Sequence, residues 1–234
     1  VRRSDALVVY DYSACEKYVD YGINADKIFV APNTIYVENP SINLNPSERT
    51  SILFVGSLNP RKRVDQLLRS FAQIVDQIPV QVTLDIVGDG SERPELEKLS
   101  QSLQIDSRVI FHGKITENER LRTYFDKALV SVSPGQAGLS VLHSFAHGVP
   151  FLTSAEAISG GEIANITHDL TGFLTDGSTE QLAKKLCTLA NRPTLAVKLG
   201  QNAYDHYVNS RTVSHMASGF VQAISFVSND HSHL

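Results

Sequence analysis

Along the chain, short apolar runs alternate with stretches of helical period. The clearest run is SILFVG at 51–56, nearly continuous and of strand length, as a central parallel strand covered on both faces requires. Val64, Leu67, Leu68, Phe71, Ile74, Val75 and Ile78 then recur at three- and four-residue steps, which predicts a helix with one apolar stripe. The alternation continues with a strand over 80–88, a helix over 94–103 with Pro94 in its first turn, and a strand over 108–113. A helix over 117–125, a strand over 128–133, a helix over 139–147 stopped by Gly148 and a strand over 149–153 follow. Helices over 179–191, 194–208 and 211–226 finish the chain. Ahead of the first run, residues 5–35 read as one strand–helix–strand piece, too small to bury its own faces. Residues 36–50, with Pro40, Pro46, Asn39, Asn43 and Asn45, read as a linker or exposed loop. Alternation of this kind predicts an α/β fold: a Rossmann-like parallel sheet with helices on both faces. In such sheets ligands bind at the carboxyl ends of the strands, near the point where strand order reverses.

Composition narrows the function classes. With 234 residues, 42% of them hydrophobic, the chain is expected to be globular with a sizeable core. At about 150 residues per domain it amounts to roughly one and a half domains. Twenty-five acidic against 21 basic residues give a net charge of -4, without the basic footprint of a general nucleic-acid binder. No apolar run approaches the ~20 residues of a membrane span, and none forms a secretory leader. Cys15 and Cys187 lie far apart with no thiol or His at ligand spacing, and are expected to be ordinary buried thiols in a reducing, cytoplasmic compartment.

Two loops carry candidate chemistry. In GSLNPRKR, Gly56 lets the backbone approach a ligand, while Arg61, Lys62 and Arg63 place three cations near a helix N-terminus, where anions are already favoured. The segment reads either as a phosphate site or as a solvated charge run. In SPGQAGLSVLHSFAHGVP, 133–150, the amides of Gln136, Ala137, Gly138 and Leu139 could cradle a phosphate or sugar hydroxyls; the alternative is a tight turn that needs glycine for its backbone angles. His143 and His147 share a helix face, but Ser144 stands where a zinc protease has Glu, and no third ligand is apparent. VGDGSER has Arg93 where the dinucleotide fingerprint needs a third Gly. No Asp-x-Asp pair is present to hold a divalent ion, so neither metal nor cofactor is expected.

These segments together resemble the retaining GT-B glycosyltransferases of group 1 (family four). FVGSLNPRK resembles that family's glycine-rich, lysine-containing loop, and LDIVGDGSERPELEKL and RVIFHGKI resemble its next two strands. LSVLHSFAHGVPFLTS and GGEIANITHDLTGFL resemble the segments that follow. The resemblance runs through 5–226 and implies two Rossmann-like domains with an active site between them. Residues 1–35 would be the tail of the acceptor domain, 36–50 the hinge, 51–226 the nucleotide-sugar donor domain and 227–234 a tail. Val1 in place of Met fits a fragment that lacks most of the acceptor domain. The resemblance further implies a UDP- or GDP-sugar donor, a glycan or lipid-linked acceptor, surface-polysaccharide synthesis and peripheral membrane contact of the full protein. Lys62 falls on the family lysine that neutralises the donor diphosphate; its usual Arg partner falls on Ser57, leaving Arg61 or Arg63 to supply the second charge. Two family glutamates fall on Gly135 and His143; the latter could still hold a ribose. Glu162 falls on a further family glutamate. Gly56 and the Gln136–Leu139 amides are expected near the diphosphate, and Gly113, Lys114 and Ile115 at the base. A catalytic donor domain and a non-catalytic binding subunit of a polysaccharide-assembly complex are the two resulting readings.

Overall fold

The computed structural model describes residues 4–230. These divide into two compact units, one built from the described residues up to Tyr36 and from Tyr207 on, the other from Val37 to His206.

The larger unit is a six-stranded, all-parallel sheet of β3 (Ser51–Val55), β4 (Thr83–Val87), β5 (Val109–Gly113), β6 (Ala128–Val132), β7 (Phe151–Ser154) and β8 (Gly172–Thr175). Their spatial order is β5-β4-β3-β6-β7-β8. The chain therefore builds outward from β3 in one direction, returns, and builds outward from β6 in the other. β3 and β6 flank the reversal. Ile52, Leu53 and Phe54 have no exposed surface, which explains why this segment shows no polar alternation. On one face, Leu67, Leu68 and Phe71 of α2 (Val64–Ile74) and Leu182, Leu186 and Leu189 of α6 (Thr179–Asn191) join Ile52 and Phe54 in the main core. A second cluster unites Leu53, Val87 and Ile115 with Leu121 and Phe125 of α4 (Asn118–Lys127). The helices α3 (Arg93–Ser102), α5 (Ser140–Ala146) and α7 (Pro193–Ser210) complete the connections. The strand β8, at the sheet edge, was not expected from the pattern. A four-residue strand carries no period of its own, and pairing with β7 decides its state.

Residues 37–49 belong to this unit as a largely exposed segment, Leu44 being 56% exposed, held at its two ends by the buried Val37 and Arg49. Arg49 is 2% exposed and donates to the carbonyls of Asn43, Ala128 and Gly148, joining three distant segments. Burial pulls its pKa down to about 10, against the opposing pull of Asp126.

The smaller unit pairs β1 (Leu7–Val9) in parallel with β2 (Ile28–Val30), with α1 (Tyr12–Asp20) between them in sequence. α8 (Val213–Asp230) packs here, with Phe226 5.4 Å from Phe29 between ring centroids, so this helix belongs with the first strands, whereas the family resemblance assigns 211–226 to the donor domain. The expected tail is helical to Asp230; residues 231–234 lie outside the described ones. Cys15 and Cys187 are free and only half-buried, less enclosed than expected.

Candidate functional site

The loop after β3 and the loop after β6 meet at the reversal of strand order. Past Gly56, Asn59 accepts from the Arg61 amide at 3.1 Å and caps a short 3-10 turn over Pro60–Lys62. Ser57 is exposed and accepts from the Asn59 amide group at 2.8 Å. That turn sends Lys62 back toward the sheet edge, its stem beside Gly56 and its Nζ 3.5 Å from the Gln136 carbonyl. Partial burial lowers the Lys62 pKa, while the charge of Glu162 opposes that shift. Glu162 is 8% exposed and its Oε2 accepts from the Gly160 amide at 2.9 Å. Sequence placed Glu162 in the family pattern without a role; its electrostatic partnership with Lys62, a hundred positions away, appears only in the fold.

The glycines at 88 and 90, a near miss for a dinucleotide motif, have a packing role. A Cβ on Gly88 would lie 1.8 Å from the Gly56 carbonyl oxygen, and one on Gly90 2.2 Å from that of Leu58. Their bare backbones let the loop after β4 close against the loop after β3.

Gly135 donates its amide to the Lys62 carbonyl at 3.3 Å. A Cβ there would fall 2.2 Å from the Arg61 carbonyl oxygen and 2.7 Å from Cγ of Arg63. The loop after β3 thus occupies the space that any side chain at 135 would need. Gln136 pairs with Ile158, and its carbonyl also accepts from Ser133 Oγ at 2.7 Å, a contact the sequence reading missed. The Ala137 amide donates to the Ile158 carbonyl at 2.9 Å, so it is occupied and not available to a ligand as expected. Gly138 and Leu139 lie just ahead of α5, Leu139 as its N-cap, at a helix start whose first amides lack helical partners.

His143 is half-buried on α5, its ring centroid 4.8 Å from that of Phe125. His147, one turn on, stacks on Phe125 at 4.9 Å with planes 11° apart. Desolvation pulls His143 down to about pKa 4 and, with like-charge pressure from His143 and Arg122, pulls His147 down to about 3. Both rings are neutral at pH 7, so His143 offers a donor and an acceptor, not a charge. At the end of β5, Gly113 turns with φ 73° and accepts from the Gly88 amide; Lys114 is exposed and Ile115 is core.

The arrangement can hold an anion against Lys62 and hydroxyl groups against His143, with Glu162 balancing charge beneath. Comparison with known proteins gives the same direction. Residues 37–206 match the model of "Glycosyl transferases group 1". The chain is 32% identical over 173 residues to D-inositol 3-phosphate glycosyltransferase of Streptomyces griseus, which covers 69% of this chain and 36% of that protein. It is 30% identical over 174 residues to N-acetyl-alpha-D-glucosaminyl L-malate synthase of Bacillus anthracis, covering 72% and 44% respectively. The chain therefore spans less than half the length of these two relatives. Among solved structures, Staphylococcus aureus TarM bound to fondaparinux, alpha-GlcNAc-glycerol and UDP superposes with a TM-score of 0.76 at 17% identity, over 94% of this chain and 43% of that one. Anabaena HepE in complex with UDP gives 0.75 at 19%, over 95% and 64%. Both likenesses bear on the fold. The matched segment spans the whole larger unit, including both loops at the strand reversal, and the chain belongs to the group 1 glycosyltransferases.

Proposed function

We propose that this chain is the donor-binding part of a retaining glycosyltransferase that takes a UDP- or GDP-linked sugar and serves a glycan or lipid-linked acceptor in surface-polysaccharide synthesis. One observation carries the reading: Lys62, buried enough to be partly desolvated, faces the Gln136 carbonyl at the point where the sheet reverses. As the sugar–phosphate bond breaks, negative charge collects on the departing diphosphate. A cation fixed in a low-dielectric edge stabilises that charge more in the transition state than in the ground state. Lys62 supplies it, Arg61 adds its field from the adjacent position, and the amides of Gly138 and Leu139, just ahead of α5, complete the anion contact. Neutral His143 hydrogen-bonds the ribose, and the backbone from Gly113 to Ile115 meets the base. UDP is favoured over GDP because both structural neighbours named above were solved with it.

A second reading, a non-catalytic binding subunit, is favoured by Gly135, which brings no carboxylate to the site and has no room for one. Both readings require donor binding; they part at turnover.

The test is a thermal-shift titration with UDP and GDP, with and without EDTA. UDP at millimolar concentration should raise the melting temperature by a few degrees, as expected when ligand far exceeds its Kd. The shift should persist in EDTA, because Lys62 and amides replace a metal, and should vanish in Lys62→Ala. No shift from either nucleotide, or one that Lys62→Ala leaves intact, rejects the donor-site reading.

A further inference from the structure

A cavity of about 320 Å³ opens at the same edge of the larger unit, toward β7 and β8. Its wall includes Arg61 and Arg63 from the loop after β3, Gly135, Ser154 and Glu156 after β7, and Asp176 after β8; Lys62, Gln136 and His143 do not line it. The two guanidinium groups and the Glu156 carboxylate make no ion pair or hydrogen bond among the described residues. Asp176 commits one oxygen to the Ser178 amide and hydroxyl.

Arg63 is the unusual member. Its backbone is left-handed, φ 52° and ψ 45°, a conformation that costs a non-glycine residue about 1–2 kcal/mol. Such strain persists where the surroundings enforce it, and it gathers at ligand clamps. Here the Arg63 stem lies across Gly135, so the absence of a side chain at 135 lets Arg63 lie along the cavity wall beside Arg61.

We propose that this cavity binds a phosphorylated sugar or polyol beside, and not at, the Lys62–Gln136 contact. Two forked guanidiniums suit the oxygens of a phosphate. Glu156 and Asp176 would repel a bare anion but accept hydrogen bonds from ring hydroxyls, so the wall is matched to a ligand that carries both groups. The volume lies at the small end of ligand pockets, sized for a monosaccharide phosphate and not for a nucleotide sugar. The inference shares Arg61 with the donor reading but rests otherwise on Arg63, Glu156 and Asp176, which that reading does not use.

The test is isothermal titration of the 234-residue chain with glucose 6-phosphate, glucose and inorganic phosphate, alone and in saturating UDP. Glucose 6-phosphate should bind saturably and more tightly than either of its parts. Arg63→Gly, which keeps the left-handed backbone without strain, should weaken it about tenfold or more. Arg63→Lys should recover part of that loss, while Lys62→Ala and saturating UDP should leave the binding in place. No saturable binding, full affinity in Arg63→Gly, inorganic phosphate binding as tightly as glucose 6-phosphate, or displacement by UDP would each overturn the proposal. UDP binding measured in the same samples reports separately on the donor site.

Discussion

Histidine 147 shows how far a residue's surroundings can move its chemistry. It is 2% exposed, its Nδ1 has no partner among the described residues, and its ring stacks on Phe125. An unfolded His takes up a proton near pH 6.5, whereas in the folded chain His143 resists protonation until about 4 and His147 until about 3. Between these values the unfolded state binds more protons, so stability rises with pH. The contribution of the neutral rings is complete above about pH 6.5, falls as the pH drops from there, and levels off below about 3; it is on the order of several kcal/mol for the two rings together. Urea unfolding at pH 7 and pH 5 measures it. His147→Phe, which keeps a ring on Phe125 and removes one of the two titrations, should roughly halve the loss between those two pH values, His143 supplying the rest. An unchanged slope would mean that His147 is hydrated. His143 and His147 were visible in sequence as a pair on one helix face, but their neutrality was not, because it comes from α4 packing over them.

At the scale of elements, the site is a meeting of loops. The loop after β3 crosses directly over Gly135, with the Arg61 carbonyl 2.2 Å from where a Cβ would stand. Introducing the family carboxylate by Gly135→Glu should therefore not supply a sugar ligand. It should displace the Pro60–Lys62 turn, weaken UDP binding and cost a few kcal/mol, as overpacking against backbone does. Thermal melting with and without UDP checks both effects; a stable variant with improved UDP binding would show that the loop yields. The sequence showed that position 135 departs from the family pattern. That the departure is steric is a fact about the contact between two segments more than 70 positions apart, which no local pattern encodes.

For the whole molecule, the two units differ in what holds them. The larger one has six strands, main-core residues with no exposed surface, and Arg49 tying its entry segment to Ala128 and Gly148. The smaller one has a two-stranded sheet of three-residue strands, and α1 has no buried residue. Two-stranded sheets are marginal by themselves. Amides of β1, β2 and α1 should therefore exchange with deuterium well before those of β3, β4 and β6, which should open only on global unfolding. Hydrogen-exchange mass spectrometry tests this; equal protection across both sheets would show that α8 and the first strands unfold together with the main core.

The amino-acid sequence by itself determined the parallel α/β class, the positions of most strands and helices, and the two loops that carry the candidate chemistry. These follow from local physics: apolar runs for doubly covered strands, a 3.6-residue period for amphipathic helices, and glycine at turns. Only the tertiary structure decided the rest: that β8 is a strand, that α8 joins the first two strands, that Glu162 answers Lys62, and that Arg63 lies over Gly135 along a second cavity. Each of these depends on side chains or backbones brought together from distant positions, where packing and desolvation, not periodicity, set the outcome.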